Sequence, residues 1–141
     1  MRVLVDTNVY VELFLKRENY QSVFKFFYLA ALNKNQTCLT SMSLRDIGYI
    51  IHRSVHNESV SKQLQSEAYS MTSKVINTTA DAAIDSLYSD MTDFEDSMQS
   101  RAAKEAMCDA IISFNKKDFK SSNLPVFTPM EICEIWSKEN A

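Results

Sequence analysis

Apolar and polar positions fall along this chain in blocks that read alternately as strands and helices. Val3-Leu4-Val5 is a short apolar run stopped by Asp6-Thr7-Asn8. Helical spacing follows at once through Val9 and Leu13, with Val11 and Leu15 on an adjoining face. The pattern predicts a strand at Arg2–Val5 that ends on an acid and passes directly into a helix. Residues 20–33 form a second helix with Val23, Phe24, Phe27, Tyr28, Ala31 and Leu32 as its apolar set, widened by Phe26 and Leu29. A helix apolar over so much of its circumference is buried or shared with a subunit interface, and core packing is the expectation.

Residues 37–40 are a second strand. The third helix carries Leu44, Ile47, Ile50 and Ile51, and Ser43-x-x-Asp46 has the spacing of a capping box at its start. Residues 57–73 are polar and serine-rich, a surface helix turning Val60, Leu64 and Ala68 inward. A third strand at 75–77 and a helix at 80–91 follow. Thr92 with Glu95, or Asp93 with Asp96, then opens a helix running to about Met107. Residues 109–113 read as a buried strand ending in the polar turn 114–119. Residues 124–127 are an edge strand. Thr128-Pro129-Met130-Glu131 supplies an N-cap, an N1 proline and an N3 glutamate for a last helix that takes Ile132, Ile135 and Trp136 to the core.

Strands that alternate with helices in this way pack, through right-handed crossovers, as an α/β fold: a mainly parallel sheet with helices on both faces. The 141 residues suffice for a single domain, 1–141, with a proper core. Composition then removes whole classes. Gly48 is the only glycine, so there is no glycine-rich phosphate loop and no dinucleotide fingerprint. Cys38, Cys108 and Cys133 are odd in number and widely spaced, which fits buried thiols in a reducing compartment better than a disulfide frame or a zinc site. No apolar run reaches membrane-spanning length and no signal peptide precedes the first strand, so a cytoplasmic protein without a membrane partner is expected. A formal charge of −3 argues against broad, charge-driven adhesion to nucleic acid, yet leaves room for a small acidic site that works on phosphates through a metal.

In such a sheet the carboxyl ends of the strands line the ligand crevice. That crevice would collect Asp6, Asp46, Asp96 and the Asn115/Asp118 turn. Each has a plain structural alternative. Asp6 or Thr7 can cap the first helix, Asp46 can close its capping box, the acids at 93–96 favour a helix start through the macrodipole, and Asp118 can tie down its own turn. His52 and His56 share a helix face, but Arg53 stands where a zinc hydrolase needs glutamate, and both read as exposed polar residues. Lys116 and Lys117 read as a solvated turn or, beside an acidic site, as holders of a phosphate backbone. Converging carboxylates repel and raise one another's pKa, which a divalent cation relieves, and all-oxygen ligands suit Mg²⁺ or Mn²⁺. With no well-placed serine–histidine or cysteine–histidine pair, the natural chemistry is metal-activated water attacking a phosphodiester.

The stretches Val3-Leu4-Val5-Asp6-Thr7-Asn8, Asp93-Phe94-Glu95-Asp96, Ile111-Ile112-Ser113-Phe114-Asn115-Lys116-Lys117-Asp118-Phe119 and Leu124-Pro125-Val126-Phe127-Thr128-Pro129-Met130-Glu131 resemble the PIN-domain family, in its order and spacing. The resemblance implies a three-layer α/β/α fold with a short, mainly parallel central sheet. It also implies a metal-dependent endoribonuclease of the VapC-like toxin group that hydrolyses RNA and is held by a cognate antitoxin. It maps the family's first acid to Asp6, its helix acid to Asp46, its third to Asp96 and its last acidic turn to Asn115 and Asp118. Asp6 and Asp96 are then metal ligands, with Asp46 orienting the metal or its water. Three positions depart from the family pattern. The helix acid is commonly glutamate and here is Asp46; Ser113-Phe114 lacks the basic residue of the usual Thr-Arg; and Asn115 leaves the fourth negative charge to Asp118. The alternatives are an inactive PIN-like scaffold or RNA-binding module, and phosphatase or DNA-nuclease chemistry with the same metals. The apolar second helix makes a homodimer a further expectation.

Overall fold

The computed structural model describes residues 1–91 and 93–139. Five strands, β1 (Arg2–Val5), β2 (Gln36–Thr40), β3 (Lys74–Ile76), β4 (Ala110–Ile112) and β5 (Val126–Phe127), form one sheet in the order β3-β2-β1-β4-β5, every pair parallel. β1 is the central strand. Leu4 pairs with Cys38 on one side and with Ile111 on the other. Val3, Leu4 and Val5 are fully buried, as a strand covered on both faces requires.

Alternation along β1 divides the interior in two. Val3 and Val5 point into the larger core, built with α1 (Thr7–Phe14), α2 (Tyr20–Leu32), α3 (Ser41–Val55) and α7 (Pro129–Glu139). Leu4 points into a smaller one with Ala102 and Ala103 of α6 (Phe94–Glu105) and Phe119. The fold is therefore a three-layer α/β/α sandwich with a short parallel sheet. Trp136 of α7 is fully buried and stacks on Phe26 of α2 with ring centroids 5.5 Å apart. All three cysteines are free and buried. Among the described residues, no helix is long and apolar enough to cross a membrane.

Several helices differ from the sequence pattern for identifiable reasons. α2 buries Val23, Phe26, Phe27 and Ala30, whereas Phe24, Tyr28 and Leu32 lie on its solvent face, 60–66% exposed. Its apolar surplus is thus an open stripe at i, i+4, i+8, not core. α3 begins one turn earlier than the Ser43 signal. Thr40, in extended conformation, caps it by accepting a hydrogen bond from Ser43 N at 2.9 Å, so Asp46 has no capping role. In α4 (Glu58–Met71) the buried positions are Ser61 and Ala68; Leu64 is half-buried and Val60 is exposed. α5 (Ala80–Ser86) stops before Leu87 and Tyr88, which project into solvent. In α7, Ile132, Cys133 and Trp136 reach the core but Ile135 stays at the rim.

Candidate active site

In the strand order, the chain leaves β1 on one side for β2 and returns on the other at β4, so the crevice of this sheet opens between the carboxyl ends of β1 and β4. Asp6 follows β1 and Ser113 follows β4. The Asp6 backbone N–H donates to Ile112 O at 2.9 Å, closing the sheet directly beneath the site.

Asp6 serves both of its readings. Its Oδ1 accepts from Thr7 N at 2.9 Å and caps α1, while the carboxylate also lines the crevice. Ser113 Oγ donates to Oδ2 at 2.8 Å, Asn8 Nδ2 to the same oxygen at 3.2 Å, and Gln99 Nε2 to Oδ1 at 3.4 Å. Burial pushes the Asp6 carboxyl above its ordinary pKa; these hydrogen bonds pull it back in part, and the Asp118 charge raises it further. Ser113 Oγ also accepts the Asn115 backbone N–H, which fixes the turn after β4 to the same centre.

Around Asp6 the pocket is lined by Asn8, Arg17, Asp93, Glu95, Asp96, Asn115 and Asp118, among others. Asp93 caps α6 by accepting from Asp96 N at 2.9 Å, which aims the first turn of that helix at the pocket. The alternative cap at Thr92 lies outside the described residues. Asp96 is pushed up to about 7, by burial first and then by the charges of Asp6, Asp93 and Asp118. Asp118 sits on the 3₁₀ turn Lys116–Phe119, held at its base by buried Phe119, and its carboxyl meets that of Asp96. Lys116 is committed elsewhere: its Nζ lies 3.0 Å from both Glu131 oxygens.

Asp46 stands apart from this group. It projects from the second turn of α3 into an adjoining groove and faces Glu95, which lines both spaces. Two carboxyls can hydrogen-bond only if one keeps a proton, and Glu95 is pushed up to about 8 chiefly by that contact with Asp46. Asp46 Oδ1 pairs with Arg45 at 3.1 Å, while its buried Oδ2 has no donor. Of the five residues singled out in the sequence, the crevice therefore unites Asp6, Asp96, Asn115 and Asp118. Asp46 joins them through Glu95.

Sequence reasoning missed Gln99, Ser113 and Arg17, and counted Glu95 only as a surplus acid. Gln99 is 1% exposed and links Asp6 to Ser43, whose hydroxyl also accepts from Thr7 Oγ1. Its signal was available: α6 buries Ser97, Gln99 and Ser100 where an apolar stripe would stand. Arg17 gives no such signal, because it follows α1 in a loop.

The donor set is entirely oxygen, three of its carboxyls are driven towards protonation, and one buried carboxylate oxygen is orphaned. That chemistry fits a hard divalent cation. Among the described residues no three carboxylates, imidazoles or thiolates stand close enough to form a closed coordination group. An open site using one or two carboxylates, with water or substrate completing the shell, is the arrangement Mg²⁺ favours.

The fold and this crevice define a class: three-layer α/β proteins with an acidic pocket at the switch point of a short parallel sheet. The PIN-domain family profile matches residues 2–117, and the chain belongs to the PIN-domain family. In three dimensions it is similar to VapBC2 from Rickettsia felis bound to a DNA fragment from its promoter (TM-score 0.66, 16% identity, covering 91% of this chain and 98% of that one). It is also similar to FitAcB from Neisseria gonorrhoeae (TM-score 0.63, 15% identity, 90% and 97%) and to a toxin–antitoxin complex from Klebsiella pneumoniae (TM-score 0.61, 20% identity, 92% and 98%). No curated protein matches significantly in sequence.

Proposed function

We propose that this protein is a Mg²⁺- or Mn²⁺-dependent endoribonuclease and the toxin of a toxin–antitoxin pair, acting in the cytoplasm. The observation that carries the reading is the ring of carboxyls at the β1/β4 switch point, lined by neither histidine nor cysteine. Such a site has no covalent nucleophile to offer and a surplus of negative charge to neutralise.

Asp6, Asp96 and Asp118 are the residues that would hold the cation, with Asn115 adding a neutral oxygen and Asp46 acting through Glu95. Bound there, Mg²⁺ or Mn²⁺ supplies Lewis-acid polarisation of the phosphate and of the attacking water. The chain's own residues do the rest. Ser113, Asn8, Gln99 and the Thr7 amide hold the Asp6 carboxylate in one orientation. Glu95, raised towards neutrality, is placed to take up or return a proton at its carboxyl. The antitoxin partner is supported by the similarity to toxin–antitoxin assemblies.

Purified protein should cut RNA in Mg²⁺ or Mn²⁺ and stop on chelation. Asp118→Asn should weaken metal affinity and rate together, while Asn115→Asp should be tolerated or tighten Mg²⁺. Cleavage undiminished in excess chelator would sink the metal chemistry. Unaltered metal requirement and rate in Asp118→Asn would return that residue to a turn-holding role.

A further inference from the structure

Beside the acidic pocket, and sharing Ile50, Asp93 and Glu95 with it, runs a groove between α3 and the start of α6. Met42, Arg45, Asp46, Tyr49 and Phe94 complete its lining. Two of its rings are open to solvent, Tyr49 at 58% and Phe94 at 44% exposure. Folding alone would place such rings inward, and neither supports the acid cluster. Cations accompany them. The Arg45 side chain is 80% exposed, and the Arg53 guanidinium lies over the Tyr49 ring, 5.8 Å from its centroid. On the other flank the pocket is lined by Arg17.

We infer that this groove is the track of a single-stranded RNA segment flanking the scissile phosphate. Unpaired bases stack on Tyr49 and Phe94, and Arg45 and Arg17 take backbone phosphates on either side of the acids. The inference rests on the nuclease reading and deepens it by naming the form of the substrate. Three features carry it. First, a chain cut at the acids must continue past them, and the groove is continuous with the pocket. Second, aromatic rings interleaved with arginines match a strand of alternating bases and phosphates. Third, a protein of net charge −3 cannot hold RNA by a broad basic surface, so its grip must come from stacking and a few placed cations. Stacking needs unpaired bases, because a duplex keeps its faces covered. The arginine over Tyr49 covers one face of that ring and favours an electron-rich ring surface, an added attraction of the kind cation–π pairs provide.

The test reads binding apart from cleavage. In an Asp6→Asn background, with the probe checked for integrity afterwards, fluorescence anisotropy measures a labelled RNA single strand of about ten nucleotides and the matching duplex. Tyr49→Ala and Phe94→Ala should each weaken single-strand binding by about 5- to 50-fold, a loss of the size base–aromatic stacking supplies. Duplex binding should stay where it is, and Tyr49→Phe should restore the single-strand affinity. Alanine variants that bind the single strand as tightly as their parent overturn the inference and leave the groove to a protein partner. Equal losses for single strand and duplex overturn it too, since stacking distinguishes them. Hydrolysis by the protein with Asp6 intact is scored separately. A nuclease without this track and a track without a nuclease therefore give different results.

Discussion

Asp6 is a carboxylate the fold works to keep charged and in place. Burial and a neighbouring acid oppose its ionisation, while four donors from Thr7, Asn8, Gln99 and Ser113 favour it. Removing the Ser113 hydroxyl leaves Oδ2 with the long Asn8 contact alone. Ser113→Ala should therefore cost about 1–2 kcal/mol of stability and lower cleavage by more than the melting shift explains, because Asp6 loses its aim. Asp6→Asn should nearly abolish cleavage yet leave the melting temperature unchanged or higher, since one repelling charge is gone. Unfolding with full specific activity in the folded fraction would show that Asp6 only caps α1. The site also predicts a pH effect. Glu95 and Asp96 are raised to about 8 and about 7, so the metal-free native state keeps protons that the unfolded chain releases. Stability then falls as pH rises through the window from about 5 to 8, the reverse of the usual carboxylate contribution. Melting curves in chelator should show that decline, and Mg²⁺ should flatten it; a rise in melting temperature across the window would refute the clustering of charge.

At the scale of elements, termini do most of the positioning. Asp93 holds the first turn of α6, and with it Glu95 and Asp96, by one hydrogen bond to Asp96 N. Asp93→Ser keeps an acceptor and sheds a charge, so it should match the parent in stability. Asp93→Ala should lose about 1 kcal/mol, near 3 °C in melting temperature. Equal melting of the two variants would assign the effect of Asp93 to charge and not to the cap. Terminus chemistry was also the part of the fold most legible in the sequence. Thr128 and Glu131 form the reciprocal box their spacing announced, at 2.9 and 3.2 Å, and Asp6 sits where the β1 run stops. Periodicity was less informative wherever apolar residues exceeded what the core could take. In α2 it could not say which of Phe24, Phe26, Phe27 and Tyr28 turn inward, because that depends on where Trp136 arrives from the far end of the chain. The Ser43 signal misplaced the start of α3, because Thr40 already offered a hydroxyl at the end of β2. Gln99 and Arg17 were out of reach for a similar reason: their neighbours in space are remote in sequence. Gly48 has a packing role that composition could not show. A Cβ there would meet the Gln65 amide at 2.1 Å, the group that donates to Leu44 O across the α3–α4 contact.

For the whole molecule, the open stripe of Phe24, Tyr28 and Leu32 on α2 lies in the outer layer, away from the β1/β4 crevice. If two copies associate through it, sedimentation should give a dimer that Phe24→Asp and Tyr28→Asp convert to monomer without change in cleavage. A concentration-independent monomer for the parent protein would reject that assembly.

The placement of β1 has a temporal meaning. The first strand of the chain is the middle of the sheet, and its partners on the two sides are separated from it by very different stretches of sequence. Pairing with β2 becomes available early, but Asp6 and Ser113 are 107 residues apart. Contacts of that span close late, because the chain entropy of so large a loop must be overcome first. A nascent chain short of Ser113 can hold a half-sheet of β1, β2 and β3 and still lack the floor of the crevice. The molecule is thus harmless by construction for most of its synthesis, and acquires its acid centre only when β4 slides in beside β1.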